Sequence, residues 1–460
     1  MRQFNKFCIT FFLCSLMCVT NADTATINAA SCSRADVSTA INSASDGDTV
    51  TIPSGSCMWT SGILIDLTLA NKGALTIIGA GIGNTIIKPN FAASWGNSPF
   101  WVVTKIGKAF RISGIEFQSG GSESGGDGSL PVIYIQGYSK SIRIDHCKFD
   151  QLKMGAIRTA NYLNGVIDHI TVNNPQTGLA IRLYMYDYTG GGSDGSWATA
   201  SNLGSSDALF IEDSTFVAST SPGIGYMIHD IGAGTRAVIR YNTYTDCVFE
   251  SHGTDSGGRT RGVRTLEIYN NTLSLVTRDS STLESSMGLR SGTGVVYNNT
   301  IDSKYGHGPK LWIKRVGESW SPWGQCDDAI ASGLCTGDYE TACTSDSNCT
   351  GNGTCSHWVD DPTGDGIGYP CRDQVGRGID TGPTTAQALE PFYEWNNVDQ
   401  SSGNVDFWVS VTYSGYIMAG RDYYKDTSKP GYTAYIYPHP LTKIGESKPK
   451  SPTNLRIIQQ

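Results

Sequence analysis

Charged side chains are scarce in this 460-residue sequence, at 17%. That share argues against a helical surface protein and suits an extracellular β-protein. Basic residues are outnumbered, with 34 Lys and Arg against 42 Asp and Glu. An acidic chain is not a default partner for nucleic acid. Beyond the first 22 residues no apolar run is long enough to span a bilayer, so no membrane span is expected. No Trp-Asp dipeptide recurs, which removes the usual sign of propeller blades. Paired C-x-x-C units are missing, which weakens any structural zinc reading.

A repeat is present. LFIEDSTF, VIRYNTY, LEIYNNTL and VVYNNTI read alike between Ala208 and Ile301. Their first anchors are Ile211, Ile239, Ile268 and Val296, stepping by 28, 29 and 28 residues. Their closing anchors are Phe216, Tyr244, Leu273 and Ile301. A fixed period of this size marks a solenoid, propeller or array. The repeats are rich in Val, Ile, Tyr, Phe and Thr, which suit strands, and they show no helical apolar period. A parallel β-helix of roughly ten coils fits. Asn242, Asn271 and Asn299 then share one position, where stacked amides can bond along the axis. The repeat extends backwards through Ile112 and Phe117, Ile144 and Phe149, and Ile167 and Val172. Forwards, Tyr393 and Val398 are read as the next anchors, with Asn396 on the ladder.

Residues 1–22 have a basic start, an apolar core at 7–19 and small residues Thr20 and Ala22. This pattern predicts a secretory leader cut after Ala22, and a secreted protein, extracellular or periplasmic. Ten cysteines follow it, and export permits disulfides. Cys32 and Cys57 bracket a Ser33-capped helix and the strand TVTIP, and they are expected to pair. The helix would cover the open end of the solenoid. Cys147 and Cys247 lie inside repeats and read as buried small hydrophobes. Cys326, Cys335, Cys343, Cys349, Cys355 and Cys371 read as a stapled insertion that pairs internally. Its TSDSNCTGNG resembles a calcium loop in composition only, so calcium is possible and no other cofactor is expected. The expected division is leader 1–22, N-terminal cap 23–75, β-helix 76–325, Cys-rich insertion 326–371, and last coils with tail 372–460. The Pro-rich aromatic tail from Lys429 should pack extended along the solenoid or cover its last coil.

The coils, the helical cap after a leader and the Tyr-Pro-His-Pro-Leu tail resemble secreted bacterial right-handed parallel β-helix proteins of the pectate-lyase-like superfamily. The likeness covers about residues 25 to 445 and implies a groove beside one sheet that binds an acidic polysaccharide. It specifies architecture better than activity. The polygalacturonase pattern is only partly met: Gly306 to Gly308 read Gly-His-Gly and Ile313 to Arg315 read Ile-Lys-Arg, but Asp pairs upstream are absent. Asp327 and Asp328 follow instead. No acidic cluster of the calcium-dependent pectate-lyase kind is evident. Lyases of this fold that cleave alginate or chondroitin use a Lys and Arg pair, which this sequence can supply in several ways.

Before each anchor segment lies another strand, and from Arg158 on each offers a basic or titratable residue. Arg158, Arg182, His229, Glu250 with His252, Arg290, Lys310 and Lys314 would stack about 4.8 Å apart per coil. Such a row is a plausible groove for an anion. The stretch Glu250 to Arg264 adds Asp255, Arg259, Arg261 and Arg264. Proton abstraction at C5 of a uronate needs a base and a cation on the carboxylate. The base is expected to be His252, or alternatively an Arg or Lys, with Arg259, Arg261, Arg264, His229 and Arg290 as partners in catalysis. Arg158, Arg182, Lys310, Trp312 and Lys314 are expected to bind substrate, and Trp320 and Trp323 could stack on sugars. His146 and His169, in Asp-His steps, read as turn formers. The expected function is a polysaccharide lyase on a uronate-containing glycan, in a monomeric protein. The alternatives are a glycoside hydrolase and a non-catalytic carbohydrate-binding or adhesive protein.

Overall fold

The computed structural model describes residues 24–126, 129–185, 194–218, 227–253, 261–312, 333–335, 342–343, 345–349, 355–356, 373–380, 387–401, 403–409 and 417–443. Three parallel sheets of 12, 10 and 9 strands wind around one core. Each coil contributes one strand to each sheet, which makes a parallel β-helix. The anchors read from the sequence fall in register. Ile112, Ile144, Ile167, Ile211, Ile239, Ile268 and Val296 pair in succession along the 12-stranded sheet. Phe117, Phe149, Val172, Phe216, Tyr244, Leu273 and Ile301 do so along the 9-stranded sheet. Both columns are buried, so each coil covers the apolar face of its neighbour.

Between these two sheets the chain turns in two residues. The first takes a left-handed conformation: Gly114, His146, His169, Asp213, Tyr241, Asn270 and Asn298 have φ between 50° and 70°. Gly, Asn, Asp and His tolerate this best, which explains their recurrence. His146 and His169 place Nδ1 2.9 Å from Asp145 and Asp168 and stack on each other, as turn formers would. The second residue points inward. Asn271 Nδ2 donates to Ile239 O at 2.9 Å and to Asn299 Oδ1 at 3.0 Å, and Asn242 bonds Asn271 in the same way. The next rung is Asn397, not Asn396: Asn299 Nδ2 donates to Asn397 Oδ1 at 2.8 Å, and Val296 pairs with Glu394. A carboxylate in an aliphatic column had shifted the sequence frame by one.

The N-terminal helix Arg34–Ser43 caps the core as expected, burying Val37, Ala40 and Ile41. The Ser33 hydroxyl accepts from Asp36 N at 3.2 Å. Cys32 and Cys57 are bonded, with Cα atoms 5.7 Å apart. Closing that loop contributes about 3 kcal/mol in the chain-entropy model. Cys147 and Cys247 are free and buried. Burial pushes the Cys147 thiol up to about 12. In the insertion, Cys349 is disulfide-bonded, while Cys326 and Cys371 lie outside the described residues, as does the leader. No helix among the described residues is long and apolar enough to cross a membrane.

The tail runs extended over the outer face of the 12-stranded sheet. Tyr432, Ala434, Tyr435 and Leu441 pack on outward Val166, Phe210, Val238, Tyr269 and Tyr297. Polar ties fix its register. Arg240, fully buried, pairs with Glu212 at 2.6 Å and donates to Tyr435 O and Ile436 O. Arg143 donates to Leu441 O at 3.1 Å, and Tyr432 donates to Glu267. One of the three outer faces is therefore strapped by the chain itself.

Candidate active site

The 10-stranded sheet carries the residues of interest. Its strands include Pro131–Gly137, Gly155–Ala160, Leu179–Tyr184, Met227–Gly232, Val248–Ser251, Ser285–Leu289 and His307–Leu311. Side chains alternate in and out along each strand. Inward lie Ile133, Ile157, Ile181, His229, Phe249 and Met287. Outward, one residue per coil, lie Trp101, Tyr134, Arg158, Arg182, Asp230, Glu250, Gly288, Lys310 and Trp408. The row has aromatic ends and a charged middle.

The register corrects part of the expected site. Arg182 pairs with Asp230, and Ile181 with His229. His229 therefore points into the solenoid, where it is 0% exposed. It sits among the rings of Phe216, Tyr244 and Phe249, with Nε2 2.9 Å from Tyr244 Oη. Burial alone pushes its pKa down to about 3, so it is neutral and core-forming. Arg261 and Arg264 are fully buried, with guanidinium groups 4.9 and 5.2 Å from the Trp197 ring. Arg261 forms a two-pronged pair with Asp373, at 2.8 and 2.9 Å, and Arg264 pairs with Glu390 at 3.0 Å. Their burial and pairing give them a packing role instead. Arg259 and Lys314 lie outside the described residues, as do Trp320 and Trp323.

His252 and Arg290 converge on one carboxylate oxygen, Glu250 Oε2. His252 Nδ1 lies 2.5 Å from Asp230 Oδ1, and Nε2 lies 3.7 Å from Glu250 Oε2. Arg290 Nη2 donates to Glu250 Oε2 at 2.8 Å, and its Nε donates to Ser251 O. Its guanidinium lies 4.7 Å above the Trp312 ring. On the other side Tyr184 Oη donates to Asp230 Oδ2, and Arg182 Nε is 3.5 Å from the same oxygen. The result is a continuous polar array across four coils: Arg182 and Tyr184, then Asp230, then Glu250 and His252, then Arg290. The Asp230 carboxylate beside Nδ1 favours the charged imidazole, which suits His252 to take up a proton at Nε2. Asp230 and Tyr184 were not among the residues expected from the sequence. The signal was present in the alternation of Met227–Gly232, where Ile228 obscures which of His229 and Asp230 faces out.

The flanks differ. Toward the N-terminus, Arg158 is sandwiched by aromatic rings, 4.9 Å from Trp95, 5.8 Å from Tyr134 and 5.2 Å from Tyr184. Trp95 itself is 55% exposed and meets Trp101 and Tyr134 edge-on. Toward the C-terminus, Lys310 lies 4.6 Å from the Trp312 ring and 4.9 Å from Trp408, and pairs with Glu284 at 2.6 Å. The expected members Arg158, Arg182 and Lys310 thus share one row, with Trp312 beside it.

One group of described side chains could hold a cation, and it is elsewhere. Glu394, Asp406 and Asp426 offer oxygens within 4.8 Å of one another at the last coil. Burial, then the Asp406 charge, pushes the Glu394 carboxyl up to about 7. Asn404 Nδ2 donates to both Asp406 and Asp426.

No known family model matches the chain, and no curated protein matches it. Two solved structures are similar to it. One is a PL6-family alginate lyase, 10% identical, with a TM-score of 0.36, covering 84% of this chain and 53% of that chain. The other is the catalytic domain of a GH87 α-1,3-glucanase in complex with tetrasaccharides, 11% identical, with a TM-score of 0.27, covering 84% of this chain and 67% of that chain. The chain spans about half the length of the lyase it matches.

Proposed function

We propose that this protein is an exported enzyme that cleaves a uronate-containing polysaccharide by β-elimination, with the glycan lying along the outer face of the 10-stranded sheet. The leader pattern and the Cys32–Cys57 bridge support export. The observation that carries the reading is the 2.5 Å contact of His252 Nδ1 with Asp230 Oδ1, midway between two aromatic and cationic flanks.

His252 Nε2 takes the proton from C5 of the uronate, and Asp230 stabilises the imidazolium that forms. Arg182 and Arg290, one on each side, offset the negative charge that builds on the uronate carboxylate. As the C5–H bond breaks, a C4–C5 double bond forms and the C4–O bond breaks. The departing oxygen takes a proton from Tyr184, which sits on the far side of Asp230. His252 Nε2 then gives its proton to water and the Tyr184 phenolate takes one from water, which resets both groups. Arg158 with Trp95 and Lys310 with Trp312 bind the chain on either side, where subsites contribute to transition-state binding.

Asp230 and Glu250 are register partners on adjacent coils, which favours a second reading as a glycoside hydrolase with two carboxylates. A panel of acidic and neutral polysaccharides separates the readings. Ultraviolet absorbance from an unsaturated product supports elimination. New reducing ends without that absorbance support hydrolysis. Retention on a polymer without either would leave a binding protein.

A further inference from the structure

Every outward position of the row from Trp101 to Trp408 carries a side chain except Gly288. The missing side chain leaves a pocket of about 130 Å³ in the floor of the face, directly beside Glu250. Three groups converge on the space above the Gly288 Cα. A Cβ placed there would lie 3.0 Å from Trp312 Nε1 and 3.3 Å from Glu250 Oε1. Lys310, the next residue of the row, lines the same pocket. The Trp312 N–H is buried and has no hydrogen-bond partner among the described residues. An unmet buried donor is costly, and a ligand oxygen would satisfy it.

The charges around the pocket decide which oxygen. Lys310 is already paired with Glu284 at 2.6 Å, and Glu250 Oε2 is already paired with Arg290 at 2.8 Å. A sugar carboxylate in this space would sit against the carboxylates of Glu250 and Glu284, whose charges already engage Arg290 and Lys310. A hydroxyl has no such penalty. It donates to Glu250 Oε1 and accepts from Trp312 Nε1.

We infer that the Gly288 pocket is a subsite for a neutral, hydroxyl-bearing pyranose, next to the uronate at His252. The inference rests on the proposed function, and it names the substrate as a polymer in which uronate alternates with a neutral sugar. A homopolymer of uronate would place a carboxylate in this pocket.

The test compares hyaluronan and unsulfated chondroitin, which alternate uronate with a neutral N-acetylhexosamine, against polygalacturonate and alginate, which do not. Wild type, Gly288→Ala and Gly288→Val are assayed on all four. Gly288 needs no left-handed backbone, and an added Cβ meets side-chain atoms only, 3.0 Å from Trp312 Nε1 and 3.1 Å from Glu250 Cγ, so a shift of a few tenths of an ångström should let Gly288→Ala fold even where Gly288→Val does not. Circular dichroism and the melting temperature check this. The expected result is preferential cleavage of an alternating polymer, with KM raised in steps from Gly288→Ala to Gly288→Val, by about tenfold or more for the latter, and kcat changed less. Preferential cleavage of a homouronate, or a KM on the alternating polymers that neither variant moves, overturns the inference and leaves the proposed elimination intact. Failure of wild type to release unsaturated product from any acidic polysaccharide defeats the proposed function itself, and the subsite assignment with it.

Discussion

Asp230 and His252 come from adjacent coils, and His252 Nδ1 lies 2.5 Å from Asp230 Oδ1. Neither residue is displaced from its coil to make the contact. It follows from the register that sets Asp230 beside Glu250, two residues before His252. The solenoid thus builds a histidine–carboxylate pair from two sequence-adjacent repeats.

The pair predicts a graded loss of activity. His252→Ala should lower kcat by about 10²–10⁴-fold, the range of a lost general base. Asp230→Asn should lower it substantially while leaving KM within a few-fold, because it disturbs the imidazole rather than the subsites. Arg158→Ala should instead raise KM with little change in kcat. Steady-state kinetics on the polymer identified by the panel measures all three, and equal effects at the three positions would contradict the assignment.

The asparagine ladder predicts a stability effect remote from the site. Asn271→Ala removes the bonds to Ile239 O and Asn299, and leaves Asn242 N without its acceptor. Loss of these buried partners should cost about 2–4 kcal/mol. Denaturant titration of the variant against wild type reads it, and Asn396→Ala, one residue off the ladder, should cost less than Asn397→Ala.

Glu394 predicts an unusual pH slope. Its carboxyl is raised to about 7 by burial and by Asp406, above an unfolded value near 4.5. Between these values the folded state holds a proton that the unfolded chain releases. Stability from this group is therefore present below about pH 4.5 and is lost as pH rises toward 7. Glu394→Gln should flatten that part of the melting-temperature profile. A cation bound by Glu394, Asp406 and Asp426 would favour the ionised form, so added calcium that raises the melting temperature at pH 7 but not at pH 5 would mark such a site.

The tail predicts a structural dependence. Truncation before Lys429 should expose the apolar surface of Val166, Phe210, Val238 and Tyr269 and strip two carbonyl acceptors from buried Arg240. The two charge-assisted bonds alone suggest a loss of at least about 3 kcal/mol. A lower melting temperature together with new binding of a hydrophobic dye is the expected readout.

The sequence carried the architecture because the repeat is written in apolar anchors, which burial enforces in every coil. It carried less of the site. His229 and Asp230 are both polar and the adjacent Met227 and Ile228 are both apolar, so the alternation did not fix the face, and a slip of one residue reverses every side chain. The same ambiguity at Glu394 moved the last ladder position from Asn397 to Asn396. Arg261 and Arg264 looked like free loop cations because their partners, Asp373 and Glu390, follow 112 and 126 residues later. Pairing across that distance leaves no local trace. Arg182 and Lys310 were legible because apolar neighbours flank each of them, and Arg158 because Ile157 precedes it.

The most direct test of the account is a crystal structure of the His252→Ala variant soaked with an acidic oligosaccharide that wild type cleaves. The account predicts sugar rings along the 10-stranded sheet from Arg158 to Lys310, with a uronate carboxylate between Arg182 and Arg290 over the vacated imidazole position. An oligosaccharide bound to another face, or along this one with Asp230 and Arg290 out of contact, would contradict it.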